Sequence, residues 1–552
     1  MSGQTDFAAR HQALLDQAVA AIDARTYWSP FPESPSPKVY GEGTAEAGEA
    51  AFRSYLGRTF DLGSQTGETI STESSPYGLE LGISYVRRDP AELVAAAQRG
   101  LPAWRAAGPL TRAAVAVEIL QRINKRSFEM AHAVHHTTGQ PFVMAFQAGG
   151  PHAQDRGLEA VAYAYSEQTR QPGRALWEKP QRKGDPLRMD KTFTPVPRGV
   201  SLVIACNTFP TWNGYPALFA SLTTGNPVIV KPHPRAILPL AITVAVAREV
   251  LTEAGFDPDL VTLAVEREGE GIAATLAVHP DIRIVDFTGS SEFGDWLERN
   301  ARQAVVYTEK AGLNTVVIDS TDDYKGMLGN LAFSLSLYSG QMCTTPQNLL
   351  IPAAGIQTDQ GAKTPEEFGA DLSAAIDRLL GDPARAAGTL GALANEGVRT
   401  RLEEAATQGT VVHAAQPVAA PDMPHADVRT PLVVRLDAAD DKVYTREWFG
   451  PVSFVITTPS TAQSIDILRE TVKRHGALTA SVYSTDEATL HAAEEAALDA
   501  GVHLSENLTG GVFVNQSAAF SDFHGSGANP AATATLTDPP FVTGRFFMIQ
   551  SR

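Results

Sequence analysis

The chain has 552 residues, 43% of them apolar and 19% charged, with 62 acidic against 45 basic side chains for a formal net charge of -17. That length implies at least two packed units, and the composition argues against a disordered chain and a membrane protein; no apolar run comes near the roughly 18 residues that a membrane-spanning helix needs. The acidic balance repels nucleic acid and anionic membrane surfaces on average, and two cysteines can build neither a disulfide framework nor a four-thiolate metal site.

In chain order, "MSGQTDFAARHQALLDQAVAAIDARTYW" begins with small polar residues and continues with helical apolar spacing. It lacks a basic start followed by an apolar block, so no secretory signal is expected and a reduced cytoplasm is the expected compartment. Residues 1–175 read mostly as helices, because "PAELVAAAQRGLPAWRAA" and "LTRAAVAVEILQRINKRSFEMAHAVHHTTG" space apolar residues by three and four. The second ends in His132, His135 and His136, close behind Glu129. That spacing permits a metal site but matches no metal motif, so a solvated helix end is the expectation there. Four prolines and alternating apolar positions in "EKPQRKGDPLRMDKTFTPVPRGV" (178–200) predict an exposed hairpin or connecting arm.

Beyond it the texture changes. "GVSLVIAC", "NPVIVKP" and "LVTLAV" read as strands, "AILPLAITVAVAREVLTEAG" as a helix ending at Gly255, and "IRIVDFTGSSEFGDWLERNAR" as a strand running into a helix. Strands alternating with helices predict βαβ crossovers and a mainly parallel sheet, with ligands at the carboxyl ends of its strands. "LNTVVID" and "MLGNLAFSLSLYSGQMC" open a second α/β unit, within which 352–365 and 414–431 read as surface loops.

Five short stretches carry candidate chemistry. In "FTGSSEFG" (287–294) Gly289 permits a tight turn and Ser290 and Ser291 can cap a helix whose N-H groups favour an anion, although this is also ordinary turn chemistry. "VIACNTFPTWNG" places the Asn207 amide after a buried strand, as an oxyanion donor or a turn residue. "TEKAGLN" places Glu309 before Gly312 at the junction of the two units, as a general base for water or a salt-bridged carboxylate. "REWFGPV" adds Glu447 and Phe449 before a Gly-Pro turn, and could equally be a bend with an aromatic plug. In "YSGQMCTTPQN" Cys343 stands among small polar residues, unlike Cys206, which ends an apolar strand and reads as a packed core thiol.

With "CNTFP", "GNPVIVKP", "FTGSSEFG", "TEKAGLN", "GQMC" and "EWFGPV" in this order, the sequence resembles the aldehyde dehydrogenase superfamily over about residues 90–530. Glu309 precedes Cys343 by 34 residues (343 less 309), which agrees with the family's separation of carboxylate and nucleophile. The long N-terminus, "RTYWSPFPESPSPKVYG" and "HGSGANPAA" look most like the phenylacetic acid degradation aldehyde dehydrogenases called PaaN.

The resemblance implies an α/β fold with a Rossmann-type cofactor domain, an α/β catalytic domain and a small oligomerisation arm. Residues 1–177 and 198–311 would form the NAD(P)-binding domain with its N-terminal helical extension, 312–515 the catalytic domain, and 178–197 with 530–552 the arm and C-terminal tail of a homodimer or homotetramer. Cys343 would be the nucleophile, Asn207 an oxyanion donor and Glu309 the base that hydrolyses the thioester. Lys231, His233, Arg235, Thr288, Gly289, Ser290, Gly312, Glu447 and Phe449 would meet the cofactor; no metal is implied. Pro234 stands where many relatives carry a ribose-binding glutamate, and His233 and Arg235 flank it, so NADP, or dual use with NAD, is the expectation. The implied substrate is a small-molecule aldehyde, specifically a CoA-linked semialdehyde of phenylacetate breakdown. Glu309 favours release of a free acid over a CoA-acylating reaction, with a generic aldehyde dehydrogenase of broad specificity as an alternative. A cofactor-free cysteine hydrolase would need a histidine at Cys343, and no residue nominates itself. A binding protein without turnover would be free to lose these groups.

Overall fold

The computed structural model describes residues 7–63, 67–310, 312–419, 423 and 425–552. Five parallel strands form one sheet in the order Val261–Leu263, Val228–Lys231, Val200–Ile204, Ile282–Thr288, Val305–Glu309. The chain starts at the central strand, winds outward through two more, then crosses back to Ile282–Thr288 on the other side. This reversal splays the loops after Ile204 and Thr288 apart and opens a crevice between them. The strands are short apolar runs because helices cover both faces; Val200–Ile204 is buried at every position.

The second sheet has seven strands: Thr410–His413, Leu432–Asp437, Val452–Thr458, Asn348–Pro352, Thr315–Ile318, Thr479–Tyr483 and His503–Glu506. Six run parallel, and Thr410–His413 closes one edge antiparallel. A third sheet pairs Arg174–Lys179, Leu187–Pro197 and the C-terminal Phe546–Ser551 antiparallel. The arm and the tail are thus one ribbon, which exposes Leu176, Trp177, Leu187, Phe547 and Ile549.

The N-terminal extension is part of the main core. Phe7–Ala24 buries Phe7, Leu15, Ala18 and Ile22 in the same apolar cluster as Gly108–Asn124, Pro151–Thr169 and Pro210–Thr223. It also corrects one expectation: His135 and His136 are buried, not solvated. The helix Thr44–Arg53 lays Phe52 parallel to the His136 ring at 5.1 Å, and Tyr77 stacks on His135 at 4.1 Å. The two imidazoles are engaged with the Gln140 carbonyl and the Ser75 hydroxyl.

Of the expected loops, 352–365 holds the short strand Gln357–Thr358, which pairs with Ser320–Thr321. In 414–431, residues 420–422 and 424 lie outside the described residues. Among the described residues no helix is long and apolar enough to cross a membrane.

Candidate active site

The carboxyl ends of the parallel strands open onto a cavity of about 640 Å³, with Asn207, Lys231, His233, Thr288, Gly289, Ser290, Glu309, Cys343, Glu447 and Phe449 in its wall. Two of the expected residues stand behind it. The Gly312 N-H favours the charged form of the Glu447 carboxyl, and Arg235 pairs with Glu268 at 3.1 Å.

The donor set fits a dinucleotide. A Cβ at Gly289 would meet the Phe287 ring at 2.6 Å, so only glycine leaves this turn open. Ser290 caps Ser291–Asn300, its Oγ accepting from the Phe293 N-H at 3.4 Å, which aligns a free helix N-terminus with the crevice. Asn207 is buried, and neither atom of its side-chain amide has a partner among the described residues. A buried amide left unpaired costs free energy, and such costs are retained where a ligand or reacting group supplies the partner. Burial pushes the Glu447 carboxyl up to about 7, against the charge of Arg401 and the Gly312 N-H. Two carboxylates that the sequence did not bring to notice complete the wall. Glu266 is ion-paired with Lys231 and Glu268 with Arg235, while burial pushes the flanking His233 down to about 4, leaving it neutral.

Cys343 is placed by a strained turn. Tyr338, Ser339 and Gly340 follow the helix Tyr324–Ser336 with φ of +53°, +50° and +64°. At Gly340 a Cβ would meet the Gly450 carbonyl oxygen at 2.5 Å, so the "SGQMC" and "WFGP" turns interlock. Asn314 fastens the far side: its Nδ2 donates to the carbonyls of Cys343 and Thr345 at 2.8 and 3.1 Å, and its Oδ1 accepts from the N-H groups of Leu478 and Thr479.

The thiol lines a second cavity as well, of about 410 Å³, walled by Trp28, Met144, Phe209, Trp212, Phe333 and Met342 among others. Tyr27 and Trp28 come from the N-terminal extension, and the acids Glu33 and Asp155 also lie in this wall. Cys343 therefore stands where a polar crevice and an apolar chamber meet. Burial first, then the charge of Glu309, hold its thiol well above the ordinary range. Cys206, expected as a core thiol, is half-buried: it packs against the cluster of Met144, Ala148, Phe209 and Tyr338 but also lines the larger cavity, and burial pushes its thiol up to about 11.

Around Cys343 the fold gathers groups that sequence reading missed. Asn213 Nδ2 donates to both oxygens of Glu309 at 3.1 Å. His524 Nε2 lies 3.8 Å from Cys343 Sγ and 3.3 Å from Glu309 Oε1. The histidine that a cysteine hydrolase would need thus exists, in the "HGSGANPAA" stretch. Asn213 was visible only as the Asn of "WNG", six residues past Asn207.

Comparison with known proteins separates these chemistries. The aldehyde dehydrogenase family profile matches residues 85–532. The chain is 57% identical to the NAD-dependent aldehyde dehydrogenase of Burkholderia multivorans, whose crystal structure superposes with a TM-score of 0.97 over 99% of each chain. It is 24% identical over 514 residues to 1-pyrroline-5-carboxylate dehydrogenase of Bacillus cytotoxicus, covering 88% of this chain and 92% of that protein. It is 25% identical over 414 residues to vanillin dehydrogenase of Pseudomonas fluorescens, covering 72% and 77%. The Thermus 1-pyrroline-5-carboxylate dehydrogenase with bound NAD, 20% identical, shares the fold at a TM-score of 0.72 over 95% of this chain and 98% of that one. The matched segment holds every expected site residue from Asn207 to Phe449, and the chain belongs to the aldehyde dehydrogenase family.

Proposed function

We propose that this enzyme oxidises an aldehyde with an apolar body to the free carboxylic acid, using NAD in preference to NADP. The observation that carries the reading is the position of Cys343, which faces the dinucleotide-type crevice on one side and the apolar chamber on the other. The Cys343 thiolate adds to the aldehyde carbon, and the Asn207 amide with the Cys343 backbone N-H donates to the alkoxide that forms. When bound, the nicotinamide supplies the hydride acceptor that converts this adduct to a thioester on Cys343. Glu309, held by Asn213, takes a proton from the water that releases the acid. Glu447 and Phe449 would hold the nicotinamide end, and Ser290 with the Gly289 turn the pyrophosphate.

The preference for NAD follows from the wall. Pro234 removes one carboxylate, but Glu266 and Glu268 supply two others and neutralise Lys231 and Arg235. A 2'-phosphate would meet those acids where the nearby cations Lys231 and Arg235 are already paired. The NAD-dependent character stated for the Burkholderia multivorans enzyme supports the same choice.

The finer substrate reading, a CoA-linked semialdehyde of phenylacetate breakdown, is supported by the resemblance of "HGSGANPAA" to the PaaN group. Against it, no Lys or Arg among the described residues lines the apolar chamber, whereas Glu33 and Asp155 do. The arm ribbon with its exposed apolar side chains supports a homo-oligomer.

Steady-state kinetics on wild type and Cys343→Ala test all of this. Expected are reduction of NAD with phenylacetaldehyde, at least about tenfold lower kcat/KM with NADP, and no turnover by the variant. Turnover only with the CoA-linked semialdehyde would replace the substrate reading, and an active Cys343→Ala would end the mechanism.

A further inference from the structure

We propose that His524 is a further catalytic residue, whose Nε2-H donates to the Cys343 sulfur as the thiolate forms. The inference rests on the reading of Cys343 as nucleophile and adds to it a group that lies outside the six stretches carrying the superfamily resemblance.

The need is electrostatic. Burial and the neighbouring Glu309 carboxylate both oppose a negative charge on Cys343. The other charged and titratable groups packed around the sulfur give little relief. Cys206 is a half-buried thiol pushed up to about 11, so it brings no positive charge. Arg156, which lies under the Trp212 ring at 5.2 Å, is taken by Glu159 at 2.9 Å and by the carbonyls of Asp522 and Leu536. Asp155 and His152 stand in the chamber wall with Glu33, and the last two are paired with each other at 2.7 Å. Among the described residues, His524 is the only side-chain N-H group within hydrogen-bonding reach of Cys343 Sγ.

The imidazole is also held in place. The His524 backbone exchanges hydrogen bonds with Leu536 at 3.2 and 3.0 Å, and its ring meets Trp212 edge to face at 4.6 Å. The residue is 4% exposed. Nε2 faces both the sulfur and Glu309 Oε1, two groups able to accept, and the Nε2-H tautomer is the one that serves them. The balance of the step is then closed. The Cys343 S-H bond breaks and its proton leaves to solvent through the cleft. The sulfur keeps the electron pair, and the Nε2-H turns from the carboxylate to the sulfur.

The test is the pH profile of iodoacetamide alkylation at Cys343, followed by mass spectrometry with Cys206 as internal reference, on enzyme without aldehyde or cofactor. Wild type is compared with His524→Met, which keeps volume without a donor, and His524→Gln, which keeps a neutral N-H. Expected is an upward shift of at least about one pH unit in His524→Met, so that alkylation at pH 7 slows about tenfold, with at least half of the logarithmic loss recovered in His524→Gln. A profile for His524→Met that overlays wild type, or a His524→Gln no better than His524→Met, overturns the proposal. Should His524→Met fail to fold, His524→Leu takes its place under the same criteria. Aldehyde oxidation by wild type is measured in parallel: if it is absent, the dehydrogenase reading fails while the alkylation profiles still decide the role of His524.

Discussion

Asn207 carries a cost in the free enzyme that the proposed oxyanion role would remove. Among the described residues both atoms of its buried amide are unpaired, and an unsatisfied buried polar group costs about 1–3 kcal/mol. Asn207→Ala should therefore leave thermal stability unchanged or raised, while kcat falls by about 10²–10³-fold, the usual effect of losing one oxyanion donor. A variant that loses stability and keeps kcat would make Asn207 a structural residue. Glu309 is predicted to act after Cys343. In Glu309→Gln the negative charge that opposes the thiolate is gone, so the thioester still forms, with its thiol proton leaving directly to solvent. The water step loses its base, which typically costs about 10²–10⁴-fold. Rapid mixing should show a burst of reduced cofactor near one equivalent per Cys343, followed by slow turnover; absence of the burst would place Glu309 in the first half-reaction. These residues were legible because each follows a strand or turn in its own short motif. His524 was not, because it lies 181 residues from Cys343 and only the folded chain brings the two together.

At the scale of elements, the short buried strands of the five-stranded sheet were legible as apolar runs bounded by turn residues, and the arm as a proline-punctuated hairpin. The docking of the C-terminal tail was not, since it depends on one ion pair between distant segments. Arg545, fully buried, makes two hydrogen bonds to Asp286 at 2.6 and 2.8 Å and a third to Ser221 at 2.7 Å. Its guanidinium also lies over the rings of Tyr307 and Phe541 at 4.6 and 4.1 Å. This cluster ties the strand Phe546–Ser551 to the central sheet and so orients the ribbon that carries Phe547 and Ile549. Arg545→Met should cost about 3–5 kcal/mol, because it leaves Asp286 buried without its cation. The measurable outcomes are a lower unfolding temperature, faster hydrogen exchange at 546–551 and a smaller assembly by light scattering. Adding Asp286→Asn should recover part of the stability; no recovery would assign the loss to packing instead of charge.

Across the whole molecule, the N-terminal extension joins the parts that chemistry requires to stay together. Trp28 walls the apolar chamber, Thr72 donates to the Pro234 carbonyl beside the polar crevice, and Tyr77 donates to the Gly139 carbonyl. Glu73 is its deepest anchor: one oxygen accepts the Leu238 N-H at 2.8 Å at the start of Leu238–Glu253, and the other accepts the Tyr85 hydroxyl. Burial outweighs these donors and pushes the Glu73 carboxyl up to about 7, from 4.5. A carboxyl raised in the folded state keeps its proton while the unfolded chain has lost it, so its contribution to stability is greatest below pH 4.5 and falls as pH rises through 7. The buried imidazoles work the other way. His135 and His136, lowered to about 4 and about 3 from 6.5, contribute stability above pH 6.5 that is lost as pH falls toward 3. The opposing slopes overlap, so the wild-type curve alone does not separate them, but a difference curve does. Glu73→Gln keeps an accepting carbonyl at the helix start and removes only the titration. Its unfolding temperature relative to wild type should therefore rise steadily between pH 5 and pH 8 and then level off. A difference that stays flat across that range would mean Glu73 is ionised in the folded enzyme throughout, held by its hydrogen bonds against the cost of burial.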